Sequence, residues 1–144
     1  KKQSDDQYKP LYDKAKSLKN VNYKGYCHHD ELVKILHTYD VFVYPNTWEE
    51  TSCIAAIEAL ACGLVAVTTD LGALYETCAE FPIYVPYLKD KEALAKQFAG
   101  AIDVLPDFVN SLNADAMKFQ MQYYRQFYHW NVIKTYWERF LNGI

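Results

Sequence analysis

Glu50 and Glu58 are the residues whose types and spacing could do chemistry. They flank the start of an apolar segment, Cys53 to Cys62, whose strong helix formers predict a helix. Two carboxylates could form an acid–base pair, but the helix alone separates these two by about 9–12 Å along its axis. That distance lies beyond the roughly 5–9.5 Å that paired carboxylates use in glycoside hydrolysis. We therefore interpret the two glutamates as contacts for the two ends of one long ligand.

Glu58 lies within a helix that is apolar on all sides, and this pattern predicts a buried helix. It shares a stripe with Ile54, Ile57 and Ala61. Because an unpaired buried charge is costly, this carboxylate needs hydrogen-bond donors. Either neighbouring backbone amides supply them, which would make its role structural, or a bound ligand does.

The start of this helix offers a site for an anion between the two glutamates. Free N–H groups and the positive end of the helix dipole favour negative charge there. The residues that would supply the amides are Thr51, Ser52, Cys53 and Ile54. Hydroxyl groups at both ends of a ligand and a phosphate in its middle describe a nucleotide-sugar. Its sugar would lie near Glu50, its diphosphate at the amides and its ribose near Glu58.

The elements that must position these residues alternate between strand and helix. Short runs rich in β-branched and aromatic residues predict four strands, at residues 21–24, 41–44, 64–68 and 82–85. Pro45 ends the second run because it lacks an N–H, and the prolines around the fourth suit a sheet edge. Alternation with short connections indicates a parallel sheet with helices on both faces. Ligands bind at the carboxyl ends of such strands, so loops at Tyr26, Glu50 and Leu71 should converge.

Local signals also predict where helices begin and end. Pro10 suits the first turn of a helix, Gly63 suits the position after one, and Pro106 should stop another. Three residues are predicted to be N-caps: Asp30, Ser52 and Asp90.

Residues 106–144 are predicted to be helical and to contribute to the core. One stripe consists of Met117, Met121, Tyr124 and Tyr128, and the last consists of Val132, Ile133, Tyr136, Trp137, Phe140 and Leu141. Stripes of methionine and aromatic residues at helical spacing pack into cores far more often than they bind cofactors.

Composition narrows the classes of function. With 144 residues, 51% of them hydrophobic, the chain can bury one core, and one domain is expected. A net charge of −3 and scattered lysines argue against nucleic acid as a partner. Four cysteines without paired spacing favour a reducing, cytoplasmic setting. No run of about 20 apolar residues and no signal peptide is present in these 144 residues.

Other chemistry is disfavoured by spacing. The run Cys27-His28-His29-Asp30 offers four possible ligands, but consecutive side chains diverge and no second cluster follows, so no metal is predicted. Ser52 and Cys53 have no histidine nearby in sequence to activate them. A glycine-rich phosphate loop is also absent from the sequence.

The run D-V-F-V-Y-P, the Glu50 and Glu58 pair with seven residues between, and the A-L-A-C-G that follows match a family pattern. This pattern resembles the carboxy-terminal donor-binding domain of family 4 glycosyltransferases, whose E-x7-E motif is the glutamate pair. Three further matches extend the resemblance over most of the chain: Gly25-Tyr-Cys, Asp70 to Glu76 and Phe127-Tyr-His-Trp130. Most members have Gly-Phe-Gly after the first glutamate, where this chain has Thr51-Ser-Cys53, so the identity of the donor is harder to infer.

The resemblance implies half of a GT-B fold: a Rossmann-like parallel sheet with a helical carboxy-terminal segment at 106–144. Residues 1–144 would be a single nucleotide-sugar-binding domain, incomplete at its amino end. The implied reaction transfers a sugar with retention, without a metal or other cofactor, to an unknown acceptor such as a glycan, a lipid-linked sugar or a protein.

Residue roles follow from the same resemblance. Glu50 is the residue assigned to catalysis and positions the donor sugar, residues 51–54 hold the diphosphate, and Glu58 holds the ribose. Tyr26 and Cys27 are carried over as contacts of the nucleobase. The amino-terminal acceptor domain and the cations that clamp the diphosphate are missing, so the chain alone should be inactive. The alternatives are a non-catalytic nucleotide-sugar-binding or interaction module of the same fold and, less favoured, a nucleotide-sugar epimerase.

Overall fold

The structure, a computed structural model, describes residues 2–143, and these form eight helices and three strands. The helices are α1 (Lys2–Ser17), α2 (His29–Leu36), α3 (Ile54–Ala61), α4 (Leu74–Cys78), α5 (Lys91–Asp103), α6 (Leu105–Ser111), α7 (Ala114–Tyr128) and α8 (Trp130–Asn142). The strands are β1 (Val41–Tyr44), β2 (Val65–Thr69) and β3 (Ile83–Val85). The chain divides into two compact units, of which the first ends at Leu32 and the second begins at Val33. The single domain expected over residues 1–144 stays a prediction.

Half of the first unit is α1, which differs from its prediction. Pro10 lies inside this helix, so the prediction that it opens a helix was wrong. The residues before it include good helix formers such as Gln7 and Lys9, and these continue the helix through the proline. Lys9 forms an ion pair with Asp13 across the same turn, which partly offsets the hydrogen bond that proline removes.

The segment between α1 and α2 forms no strand. Residues 21–24, predicted to be one, are all exposed and pair with no other strand among the described residues. A run of β-formers stays irregular when no neighbouring strand supplies its hydrogen bonds. Gly25 does turn the chain, with φ at +66°.

The start of α2 also differs from its prediction. The main-chain carbonyl of His28 accepts from the amides of Glu31 at 3.0 Å and Leu32 at 2.9 Å, so the helix begins at His29. Asp30, predicted to be the cap, lies in the first turn instead. At that position the positive end of the helix dipole still stabilises its negative charge.

The second unit contains a three-stranded parallel sheet with β2 in the centre. Val41 of β1 pairs with Val65 of β2. Every residue of β2 is buried, as expected of a parallel strand that is covered on both faces. β3 is an edge strand that follows Pro82, as predicted, and β2 begins one residue later than the predicted 64–68.

Alternate residues of β2 belong to two separate cores. Ala66 packs in a cluster with α3, α4 and α7 that contains Cys53, Ala56, Leu60, Leu74, Cys78 and Tyr124. Val65 and Val67 pack in another with α5 and α6 that contains Val85, Leu94, Phe98 and Leu105. The predicted α/β fold with helices on both faces of a parallel sheet is therefore confirmed, with three strands instead of four.

Three predicted helix ends are confirmed. Asp90 caps α5, and its side chain accepts from the amide of Glu92 at 2.9 Å. Pro106 lies in the first turn of α6, directly after α5 has ended. Gly63 follows Cys62, the C-cap residue of α3, with φ at +85°, a conformation that glycine adopts readily.

Side chains of α7 bind the carboxyl ends of α3 and α4. Gln120 is buried, and its amide Nε2 donates to the carbonyl oxygens of Leu60 at 2.9 Å and Leu64 at 3.0 Å. The Tyr124 hydroxyl donates to the carbonyl of Cys78 at 2.9 Å. The carbonyls of Leu60 and Cys78 also accept local amides, from Gly63 at 3.1 Å and from Phe81 at 3.4 Å. The side chains of α7 therefore add long-range hydrogen bonds that hold both helices on this side of the sheet.

The two carboxy-terminal stripes have different outcomes. The α7 stripe packs against the two cores, as predicted, through Met117, Tyr124 and Tyr128, and its half-buried Met121 lies beside Gly63. The α8 stripe does not: Trp137, Phe140 and Leu141 expose 59%, 75% and 75% of their surface, and no described residue of α8 is buried. The prediction that it belongs to the core was wrong, because an amphipathic pattern does not show what covers the apolar face. None of the described helices is both long and apolar enough to span a membrane.

Candidate functional site

The segment from Pro45 to Cys53 connects β1 to α3 at the carboxyl end of the sheet. α3 begins at Ile54 with Cys53 as its N-cap residue, whose carbonyl accepts from the amide of Ile57 at 3.1 Å. The prediction that Ser52 is the cap was wrong by one residue. Cys53 takes that place because its side chain is buried in the core, whereas Ser52 is exposed.

The first turn of α3 has no side-chain cap. No side-chain hydrogen bond of cap geometry is present and no acidic residue lies in the first turn. Burial raises the pKa of the Cys53 thiol, and the amides of residues 55 and 56, which lie close to its sulfur, lower that pKa by a smaller amount. Thr51, Ser52 and Ile54 are exposed, and Ile54 exposes 68% of its surface. The end of the helix where an anion is favoured therefore faces solvent.

Glu50 is held in place at its side chain and at its main chain. Its carboxylate oxygen Oε1 accepts from the Tyr44 hydroxyl at 2.6 Å, and its carbonyl accepts from the Ala73 amide at 2.7 Å. The residue is half-buried. Its carboxylate is therefore oriented while part of it stays accessible.

Gly72 allows the loop after β2 to approach Glu50. It has φ at +62°, and a Cβ atom there would lie 2.6 Å from the Glu50 nitrogen and 2.7 Å from its carbonyl oxygen. No side chain fits at such distances, so only glycine permits this contact. The predicted convergence of the loops at Glu50 and Leu71 is confirmed, because Gly72 and Ala73 belong to the second of these loops.

Asn46 shapes the loop before Glu50. Its buried side chain accepts from the amide of Trp48 at 2.9 Å and donates to the carbonyl of Trp48. The Thr69 hydroxyl, at the end of β2, donates to the carbonyl of Asn46 at 3.2 Å. The sequence reasoning missed this residue, although asparagine directly after a strand-ending proline is a known turn signal.

Glu58 lies in α3 and is half-buried. The prediction that α3 is buried on all sides was wrong, because Ile54 and Ala55 are exposed. Burial raises the pKa of the Cys62 thiol, the nearby charge of Glu58 raises it further, and Arg125 of α7 lowers it. The charges of Glu58 and Arg125 therefore both lie near Cys62, the C-cap residue of α3.

Tyr26 and Cys27, predicted to contact a nucleobase, lie in the first unit. Tyr26 is exposed and contacts the ring of His28 edge-on, with 5.2 Å between centroids. Cys27 is half-buried. Their role stays a prediction. Over residues 2–143, no three His, Cys, Asp or Glu side chains form a cluster that could hold a metal ion.

Two further acids of this region have local surroundings that fit a structural role. The Asp70 side chain, directly after β2, accepts from the amide of Tyr87 at 2.8 Å and so joins two loops. Glu76 lies on the exposed side of α4. These positions indicate a structural role for Asp70 and a solvated one for Glu76.

The thiol of Cys78, which is fully buried beneath the site, makes stability sensitive to alkaline pH. Burial raises its pKa from 9.0 to about 12. Above pH 9 the unfolded chain therefore loses a proton that the folded chain keeps. We expect the free energy of unfolding to fall from pH 9 towards pH 12, with this thiol contributing at most about 1.4 kcal/mol per pH unit.

Urea unfolding under reducing conditions at pH 8, 9, 10 and 11 measures this effect. Cys78→Ala should lessen the slope, because it removes the buried group that ionises. Equal slopes for Cys78→Ala and the unchanged chain would contradict the prediction.

The fold and the site define a class, an α/β domain whose loops at the carboxyl ends of parallel strands present an oriented carboxylate beside a helix N-terminus. The family model "Glycosyl transferases group 1" matches residues 1–105. The chain therefore belongs to the group 1 glycosyl transferases, and the predicted glycosyltransferase resemblance is confirmed at that level. Neither the curated proteins nor the solved structures give a significant match.

Proposed function

We propose that this domain binds the nucleotide-sugar donor of a retaining glycosyltransferase of family 4, as half of a GT-B fold. The observation that carries the proposal is Glu50, whose carboxylate is oriented by Tyr44 and whose main chain is fixed by the loop at Gly72. It stands beside the uncapped N-terminus of α3. A fixed acceptor next to an anion site suits a ligand that has sugar hydroxyls on one side of a diphosphate.

Each part of the donor has its own contacts in this proposal. Glu50 accepts hydrogen bonds from the hydroxyls of the sugar and positions it for transfer. The amides of residues 51–54 bind the diphosphate, and the exposed hydroxyls of Thr51 and Ser52 can add to them. Glu58 binds the ribose, and Tyr26 and Cys27 contact the nucleobase.

Chemistry in the proposed reaction comes from the donor itself. The departing phosphate assists the incoming acceptor on the same face of the sugar, which retains configuration and needs neither a metal nor an attacking carboxylate. The amino-terminal acceptor-binding domain and the phosphate-clamping cations would come from outside these 144 residues, so the chain alone should not transfer sugar. The four free cysteines suit a cytoplasmic setting.

A thermal-shift panel of uridine, guanosine and adenosine diphosphates on the 144-residue chain tests the proposal. One of them should raise the melting temperature, because binding to the folded state stabilises it by RT ln(1 + [L]/Kd). Inorganic pyrophosphate, which lacks the ribose and base, should be less effective at equal concentration. A panel in which none of the three nucleotides raises the melting temperature would contradict the proposal.

A further inference from the structure

We infer that Tyr44 is a positioning residue for Glu50, and that its hydroxyl orients the carboxylate that accepts hydrogen bonds from the donor sugar. The inference rests on the proposed function, in which Glu50 contacts the sugar. It adds a residue that lies in the strand before the glutamate motif. Tyr44 acts through Glu50 and need not touch the ligand.

The hydrogen bond between the two side chains is short and has a charged acceptor. The Tyr44 hydroxyl lies 2.6 Å from Oε1 of Glu50, within the range of charge-assisted O–H···O bonds. A carboxylate has about four acceptor positions. One of them is used by Tyr44, so others remain for the hydroxyls of a sugar.

Tyr44 is fixed more firmly than the glutamate that it orients. It is the last residue of β1, its ring stacks on Phe42 with 5.7 Å between centroids, and both rings pack against the core next to α3 and α4. Glu50 lies in a loop and would otherwise choose among several rotamers. The ring of Tyr44 is therefore held rigidly by the sheet, and its hydroxyl fixes the orientation of the Glu50 carboxylate in the loop.

The ionisation of Tyr44 fits this role. The hydrogen bond to Glu50 is the largest cause that raises the pKa of its phenol, and burial adds to it. The Cys53 thiol, which the Tyr44 hydroxyl also approaches, raises the pKa further, and all of these effects favour the protonated phenol that donates to the carboxylate. Glu50 is left as the group that accepts from the ligand.

Tyr44→Phe removes the hydroxyl and keeps the ring, so it is the variant that tests the inference. The probes are UDP with UDP-glucose and GDP with GDP-mannose, and calorimetry on the 144-residue chain uses whichever pair binds. Tyr44→Phe should lower the affinity for the sugar-bearing nucleotide by about 10-fold, which corresponds to the lower end of the energy of a hydrogen bond to a charged group. The bare diphosphate should bind as before. In a chain that already carries Glu50→Gln, Tyr44→Phe should add little, since the two residues act as one unit.

Tyr84→Phe is a matched control, because Tyr84 is a half-buried tyrosine of the neighbouring region whose hydroxyl donates to the carbonyl of Ala79. It should lower stability and leave the ratio of the two affinities unchanged. The ring resonances of Tyr44 in an NMR spectrum at neutral pH give a readout that needs no ligand. Glu50→Gln should shift them, since the Glu50 carboxylate is the main group that perturbs the phenol.

The outcomes separate the inference from the proposed function. If Glu50→Gln weakens the sugar-bearing probe selectively but Tyr44→Phe weakens both probes equally, or adds in full to Glu50→Gln, the positioning role is overturned and the proposed function survives. If Glu50→Gln has no selective effect, the proposed function fails even when the NMR spectrum shows the contact between the two side chains. Failure of all four probes to bind would overturn both.

Discussion

Replacing Gly72 by alanine should lower the free energy of unfolding by about 2–5 kcal/mol, through two additive causes. A left-handed conformation costs a residue with a Cβ roughly 1–2 kcal/mol, and forcing an atom into packed space costs about 1–3 kcal/mol. The Cβ would lie 2.6 Å from the Glu50 nitrogen and 2.7 Å from its carbonyl oxygen. Since both neighbours are main-chain atoms, they cannot rotate away, and the loop that carries Glu50 must move.

Urea unfolding measures this loss, and Gly100 supplies the control. It lies in α5, and a Cβ there would meet nothing within 4 Å. Gly100→Ala should therefore stabilise the chain by up to about 1 kcal/mol, because alanine favours a helix. In calorimetry with UDP-glucose or GDP-mannose, Gly72→Ala should also weaken binding, whereas Gly100→Ala should not. Similar stabilities for the two variants would show that the contact between Gly72 and Glu50 is not tight.

The second large effect is expected at the two glutamates, which the proposed function assigns to different parts of the donor. Glu58→Gln should lower the affinity for a bare nucleoside diphosphate and for the complete nucleotide-sugar by a similar factor, because both contain the ribose. Glu50→Gln should weaken the nucleotide-sugar and leave the bare diphosphate nearly unaffected. A hydrogen bond to a charged group contributes about 1.5–3 kcal/mol, so either loss should be roughly 10–150-fold.

Calorimetry with the same probe pairs measures both affinities in both variants. Glutamine is tolerated in a helix about as well as glutamate, and circular dichroism checks that both variants fold. Equal losses for both ligands in both variants would contradict the division of the site, although membership of the family would stand.

Much of the fold could be predicted from the sequence, because the residues that begin or end its elements occupy the same positions in the folded structure. Val41 to Tyr44 is a strand because a β-rich run meets a proline, and Gly63 ends α3 because a helix end needs a residue with positive φ. Asp90 caps α5 because its side chain reaches the amides two and three residues onward. Each of these signals lies within a few residues of the element that it defines.

The details of the site could not be predicted in the same way. The contact of Gly72 with Glu50 joins loops that are distant in sequence, and nothing local distinguishes this glycine from one in an ordinary turn. From the sequence, Tyr44 was interpreted only as a β-forming residue of β1. A sequence does not distinguish a tyrosine whose hydroxyl donates to a carboxylate from one that only packs. The predictions of a strand at residues 21–24 and of a buried α8 stripe were wrong for a related reason. A strand needs a neighbouring strand and an apolar face needs a covering surface, and the local sequence pattern specifies neither.

The hydrogen bonds of Gln120 have a consequence for the order in which the chain folds. This residue binds the carbonyl of Leu60, sixty positions earlier in the chain, and closing a loop of that length costs about 3.6 kcal/mol of entropy. During synthesis this long-range bond can form only after α7 has left the ribosome, whereas the bond from the Gly63 amide to the same carbonyl needs only neighbouring residues. The match to the glycosyl transferase family ends at residue 105, but α7, which packs against the helix that carries the second glutamate, lies after it.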